Sequence, residues 1–120
     1  MTKEELKIRT KQFHIEIIRV CEHLPKTTAG FELAKQLIRS GGSVGANYRA
    51  ACRAKSTADF IYKLEIVIEE ADESMYWLEV ITEAKLITSN ITEPLLKEAN
   101  ELVSIFVATV KTVKTNNHKS

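Results

Sequence analysis

Lys35-Gln36-Leu37-Ile38-Arg39-Ser40-Gly41-Gly42-Ser43-Val44-Gly45-Ala46-Asn47-Tyr48-Arg49-Ala50-Ala51 decides how many helices this chain has. Two adjacent glycines inside a helix cost roughly 1 kcal/mol each relative to alanine. A break at residues 40–43 is therefore the alternative to one long helix. The apolar spacing favours continuity. Ala34, Leu37, Gly41, Val44, Tyr48 and Ala51 recur at intervals of three and four and stay in phase across the glycine pair. One helix is predicted over about 29–54. Gly41 and Gly45 then allow a neighbouring helix to approach its backbone closely.

The same periodicity extends outward from this segment. Thr2 and Glu5 have capping-box spacing, and no breaker follows until Pro25. Leu6, Phe13, Ile17, Val20 and Leu24 share one side of this first helix, predicted over about 3–24. Leu24 precedes a proline, which disfavours its α conformation and ends the helix. Downstream, Ser56-Thr57-Ala58-Asp59 combines a cap with an acid in the first turn. The third helix is predicted over about 57–86, with Phe60, Leu64, Val67, Ala71, Met75 and Leu78 inward. Asn90 or Thr92 can cap the fourth, over about 92–114, and Pro94 suits a first turn. Leu95, Ala99, Leu102, Phe106, Val110 and Val113 form its stripe. The polar tail 115–120 is expected to fray. No segment alternates with period two. Four long helices with short connections predict an all-α, antiparallel up-down-up-down four-helix bundle in a single domain, 1–120.

Composition narrows the class. The chain has 120 residues, 44% hydrophobic, which suffices for one core. No stretch approaches the roughly 20 apolar residues of a membrane span. The charged opening run, Met1 to Lys7, does not read as a secretory signal. Cys21 and Cys52 lie in apolar periodic segments and read as small buried hydrophobes in a reducing cytoplasm. The net charge of +1 gives no overall field toward nucleic acid or anionic lipid, so any such contact needs a local patch.

Catalytic, metal and cofactor signals are absent from the pattern. His14, His23 and His118 follow Lys11, Val20 and Thr115 by three, so none completes the Glu-x-x-His pair of a di-iron bundle. Glu69-Glu70 and Asp72-Glu73 read as a solvated helix face. Gly41-Gly42-Ser43-Val44-Gly45 lacks the lysine and preceding strand of a phosphate loop. No catalytic residue, metal or cofactor is expected.

The charges are nevertheless segregated. On a wheel of 100° per residue, Lys35, Arg39, Arg49 and Arg53 fall within about 80° opposite the core stripe, and Lys55 follows in the loop. On the third helix Glu65, Glu69, Asp72, Glu79 and Glu83 share another arc of about 80° with Tyr76. Three readings stand side by side: two solvated faces, complementary faces that meet between subunits, or a basic ridge that binds phosphates. Both ridges point away from their own core, so they are not expected to meet fully within one subunit. Ile66, Trp77 and Ile81 lie off the third helix's inner stripe, as do Ile8, Ile15 and Ile18 on the first. A subunit interface at Ile66, Trp77 and Ile81, with Glu69, Asp72 and Glu79, is the corresponding expectation.

The run Ser43-Val44-Gly45-Ala46-Asn47-Tyr48-Arg49-Ala50-Ala51-Cys52-Arg53-Ala54-Lys55-Ser56 is long and irregular. With Phe31 to Leu37, Asp59 to Leu64 and Glu69 to Glu79, it closely resembles the bacterial 23S rRNA intervening-sequence proteins. The resemblance spans nearly the whole chain. It implies a four-helix bundle assembled as a ring-shaped homo-oligomer, a pentamer by preference. Relatives serve as accessory subunits of retroelement reverse transcriptases. RNA or DNA, and a nucleic-acid enzyme, are therefore the implied partners. The family supplies no catalytic residues to transfer. Lys35, Arg39, Arg49, Arg53 and Lys55 are the candidate nucleic-acid contacts.

Overall fold

The computed structural model describes residues 1–119, with side chains to residue 117. Four helices follow one another: α1 (Lys3–Cys21), α2 (Thr28–Ala51), α3 (Thr57–Glu83) and α4 (Ser89–Lys119). Each packs on its chain neighbours, and α1 also meets α4. The helices thus stand at the corners of a square, with α1 diagonal to α3. The short connections 22–27, 52–56 and 84–88 force successive helices antiparallel. The result is a rod of 53 × 21 × 21 Å. This is the all-α up-down-up-down bundle that the periodicity predicts.

The first three helix starts follow the capping chemistry. Thr2 Oγ1 accepts from the Glu5 amide at 3.1 Å, Thr27 Oγ1 from Gly30 at 3.1 Å, and Ser56 Oγ from Asp59 at 3.0 Å. The fourth differs from expectation. Helix α4 begins at Ser89, ahead of both Asn90 and Thr92. Thr92 is fully buried instead, and its hydroxyl meets that of Thr82 at 2.7 Å, joining α3 to α4.

The C-termini also depart from the apolar pattern. Helices α1, α2 and α3 end three residues before the predicted 24, 54 and 86. In α1 and α2 the final turn tightens: His23 and Leu24 donate to Val20 and Cys21, and Arg53 and Ala54 to Ala50 and Ala51. Leu24 still reaches the core from outside the helix. At the end of α3 the Leu86 amide donates to the Ile81 carbonyl and the Lys85 amide to Thr82, the paired bonds of a Schellman cap. Lys85 adopts the left-handed conformation this requires, with φ 61°. Helix α4 continues to Lys119 rather than ending near 114, since no glycine or proline follows Pro94 to stop it. Ser120 lies outside the described residues.

The expected seams fill the core. Phe13, Ile17, Leu37, Val44, Leu64, Leu78, Leu102 and Phe106 are essentially without exposure. Buried hydroxyls are satisfied locally: Thr10 Oγ1 donates to the Leu6 carbonyl at 2.8 Å, and the Ser40 and Ser74 hydroxyls meet at 2.8 Å between α2 and α3. Cys21 and Cys52 are free and half-buried rather than fully enclosed.

Helix α2 runs unbroken through Gly41-Gly42. The glycines sit where α1 lies against it. A methyl at Gly41 would stand 2.3 Å from Ile17 Cδ1, and one at Gly45 3.4 Å from the Thr10 backbone. Ile17 is fully buried and cannot swing into solvent. Gly41→Ala is therefore expected to destabilise by about 1 kcal/mol, overpacking of ~1–3 kcal/mol outweighing ~1 kcal/mol of helix propensity. Gly45→Ala only touches its neighbour and should be neutral or stabilising. Urea denaturation of the two variants checks the contrast. Lys85→Gly relieves a left-handed non-glycine residue and should stabilise by about 1 kcal/mol in the same assay.

Candidate interaction surface

The basic ridge of α2 divides between two neighbours. Arg39, at the α3 edge, contacts carboxylates of that helix: its Nη1 lies 3.2 Å from Glu70 Oε2, and its Nη2 is bonded to Glu73. Trp77 Nε1 donates to the same Glu73 carboxylate at 3.3 Å. The two charged helices therefore meet within one subunit at Arg39 alone, and the two ridges do not meet as a whole. The acids it meets lie on the α2 side of α3, outside the acidic arc read from the sequence. The pair is half exposed and contributes little to stability.

Arg49 and Arg53 lie at the other edge, beside α1. With Lys7 and Lys11 they line a shallow groove of about 270 Å³, completed by Glu4 and Ile8. Lys7 Nζ is 3.1 Å from Glu4 Oε1. Lys11, Arg49 and Arg53 have no ion-pair partner among the described residues. Lys35 is exposed, about 21 Å up the helix from Arg49 at 1.5 Å per residue. Lys55 lies in the α2–α3 loop, where its amide donates to Asp59 Oδ2 at 3.3 Å. Lys63 Nζ, 2.9 Å from both Asp59 oxygens, holds that carboxyl below its usual range, and the Lys55 amide adds to the effect. The structure thus gathers Arg49 and Arg53 with two α1 lysines and leaves Lys35, Arg39 and Lys55 elsewhere. Lys7 and Lys11 belong to another helix, so the wheel of α2 could not reveal them. Their spacing of four was the available signal.

On α3 the side chains of Glu65, Glu69, Asp72, Glu79 and Glu83 are exposed. None of the five has an ion-pair partner among the described residues. Tyr62 and Tyr76 stand among them, 64% and 56% exposed. Ile81 is not surface at all. It is fully buried, because α3 packs against both α2 and α4 and buries an arc wider than one seam. Ile66 and Trp77 are half-buried, and Trp77 packs edge-on to Tyr76 with ring centroids 5.0 Å apart.

A broad concavity lies between α1 and α4. It measures about 700 Å³ and is lined by Ile8, Phe13, Val20, Ile91, Pro94 and Leu95, among others. Arg9 spans it in a bidentate pair with Glu98, both contacts 2.7 Å. That carboxylate holds the guanidinium proton more firmly still. Among the described residues no three His, Cys, Asp or Glu side chains gather as a metal site. Among the described residues no helix is long and apolar enough to cross a membrane. The His118 side chain lies outside the described residues.

These features define an all-α helical-bundle protein. Residues 4–108 match the model of the 23S rRNA-intervening sequence proteins, and the chain belongs to that family. A solved structure with the same fold is that of a protein of unknown function from the S23 ribosomal protein family of Bacteroides thetaiotaomicron VPI-5482. It is 34% identical with a TM-score of 0.85, covering 92% of this chain and 99% of that one. No curated protein matches the chain.

Burial, and secondarily the Glu22 carboxylate, push the Cys21 thiol up to about 11. The thiolate is the reactive form, so Cys21 should resist alkylation at pH 7–9 and label only as the pH approaches 11. Iodoacetamide labelling across pH, read by peptide mass spectrometry, checks this.

Proposed function

We propose that this chain is a non-catalytic, self-associating bundle of the bacterial cytoplasm that holds RNA by its phosphates on the Lys7–Lys11–Arg49–Arg53 edge. The observation that carries the reading is the convergence of four cations from two helices around one groove, in a chain whose net charge is only +1. Three of the four are free of ion pairs among the described residues. Charges left unneutralised within the fold are available to displace counterions from a phosphate backbone. No aromatic side chain lines this groove, so bases have nothing to stack on. The contact is then one of position and charge, indifferent to sequence. Membership of the 23S rRNA-intervening sequence family supports a nucleic-acid setting, with DNA or a nucleic-acid enzyme as further partners on the same edge.

The test is equilibrium binding to structured RNA and duplex DNA across a salt series. Four phosphate contacts predict a log–log slope of about −3 to −4. Arg49→Glu with Arg53→Glu should weaken binding by about tenfold or more at low salt and flatten the slope by about 2. Arg39→Gln should leave both unchanged. Equal RNA binding by the double variant, or no binding by the parent at low salt, rules the site out.

A further inference from the structure

The row of cations along the basic groove does not end at Arg53. On α1 lysines recur every fourth residue, Lys3, Lys7 and Lys11, about 6 Å apart along the axis. On α2 Arg49 and Arg53 keep the same interval, and Lys55 follows them into the α2–α3 loop. Both rows lead to the end of the bundle where α1 and α3 begin and α2 stops. A second concavity of about 300 Å³ opens there, with Lys3, Ala51, Cys52, Lys55, Phe60 and Val113 in its walls. Lys3 and Glu4 are chain neighbours, as are Cys52 and Arg53. The first of each pair lines the end concavity and the second lines the basic groove, so the two hollows share a rim.

The end concavity holds what the groove lacks, an aromatic ring. Phe60 is half-buried, and Lys3 Nζ stands over its face, 5.6 Å from the centroid. A cation at an exposed ring is held more weakly than a stacked base. Lys3 is exposed on a flexible stem, so its ammonium can leave the ring for a phosphate beside it. Asp59, the carboxylate adjoining Phe60 in sequence, is bonded to Lys63 Nζ at 2.9 Å. The ammonium groups of Lys3 and Lys55 have no ion-pair partner among the described residues. Within a duplex each base is already paired and stacked, so only an unpaired nucleotide can use the ring.

We propose that the end concavity receives an unpaired terminal nucleotide of the RNA whose phosphates lie along the groove, with its base against Phe60 and its phosphates on Lys3 and Lys55. This site rests on the nucleic-acid reading of the Lys7–Lys11–Arg49–Arg53 edge. It names the class of RNA: a helix that ends in a single-stranded extension rather than a blunt one. A hollow of about 300 Å³ is at the lower limit of small-ligand sites, with room for one nucleoside and not for a base pair. One ring offers stacking to one base. Every base has a face to stack, so the preference is for an unpaired end and not for a sequence. The groove supplies charge along the helix, and the end concavity supplies the position at which that helix stops.

The test is equilibrium binding of the full chain to one RNA hairpin in three forms: blunt, with a short run of unpaired adenylates at its 3′ or 5′ end, and with the same run made abasic. The parent should bind an adenylate form about tenfold more tightly than the blunt form. Phe60→Leu keeps an apolar side chain in the half-buried position and should remove most of that advantage, leaving the blunt and abasic forms unchanged. Phe60→Trp should keep the advantage, and its added tryptophan fluorescence should be quenched by the adenylate form alone. Lys3→Gln with Lys55→Gln should flatten the salt slope for the extended forms by about 1 and leave the blunt form as it was. Both lysines are exposed, so this variant reads the site even where Phe60→Leu lowers the melting temperature. Equal binding of blunt and extended hairpins, an advantage that survives Phe60→Leu, or an abasic run as good as the adenylates overturns the terminal-nucleotide site and leaves the groove standing. A parent that binds none of the three forms overturns both.

Discussion

The close approach of α1 to α2 at Gly41 is the constraint on which the rest of the bundle depends. Ile17 occupies the space where a side chain on α2 would stand. With that space filled from α1, the helix can carry two glycines without breaking, because packing outweighs propensity. Continuity of α2 then fixes the angular relation between Arg39 at one end and Arg49 and Arg53 at the other. It also sets α1 beside the lower half of α2, which brings Lys7 and Lys11 to the two arginines. A break at the glycines would have separated these positions.

Arg39 shows how the same constraint sorts charge. Its neighbours Glu70 and Glu73 take it out of the free basic surface. An exposed pair of this kind contributes roughly 0–1 kcal/mol, so its consequence is local order around Trp77 more than stability. None of the five outer acids of α3 is ion-paired among the described residues, although Glu65 and Glu69 share a groove with Lys111 and Lys114 of α4. Segregation of charge is therefore a result of the square arrangement acting on two amphipathic helices, and a net charge of +1 conceals it.

The fold was legible because each helix has an apolar seam that stays in phase along its length and a side-chain cap or proline near one end. The errors occur where seam and helix part company. Leu24 and Ile87 are core residues that lie outside helices, so an apolar pattern extends beyond the hydrogen-bonded segment. Thr92 has the composition of a cap and the position of a buried cross-link to Thr82. Ile81 looked peripheral because the wheel was drawn with one seam, whereas α3 packs on two sides. The candidate site was half legible. Arg49 and Arg53 could be placed on one face from spacing alone, but their association with Lys7 and Lys11 is a contact between helices. No single-helix pattern contains it.

What remains outside the core is directional. A solvated bundle is served by charges mixed evenly around its surface, which avoids both self-association and single-sign patches. Here the exposed isoleucines of α1 and the exposed tyrosines of α3 lie on opposite sides of a rod only 21 Å across. A lone exposed hydrophobe needs no explanation, but a line of three at heptad intervals opposite a complete core seam does. Scattered packing demands cannot account for it, since Ile17 and its neighbours already satisfy the interior.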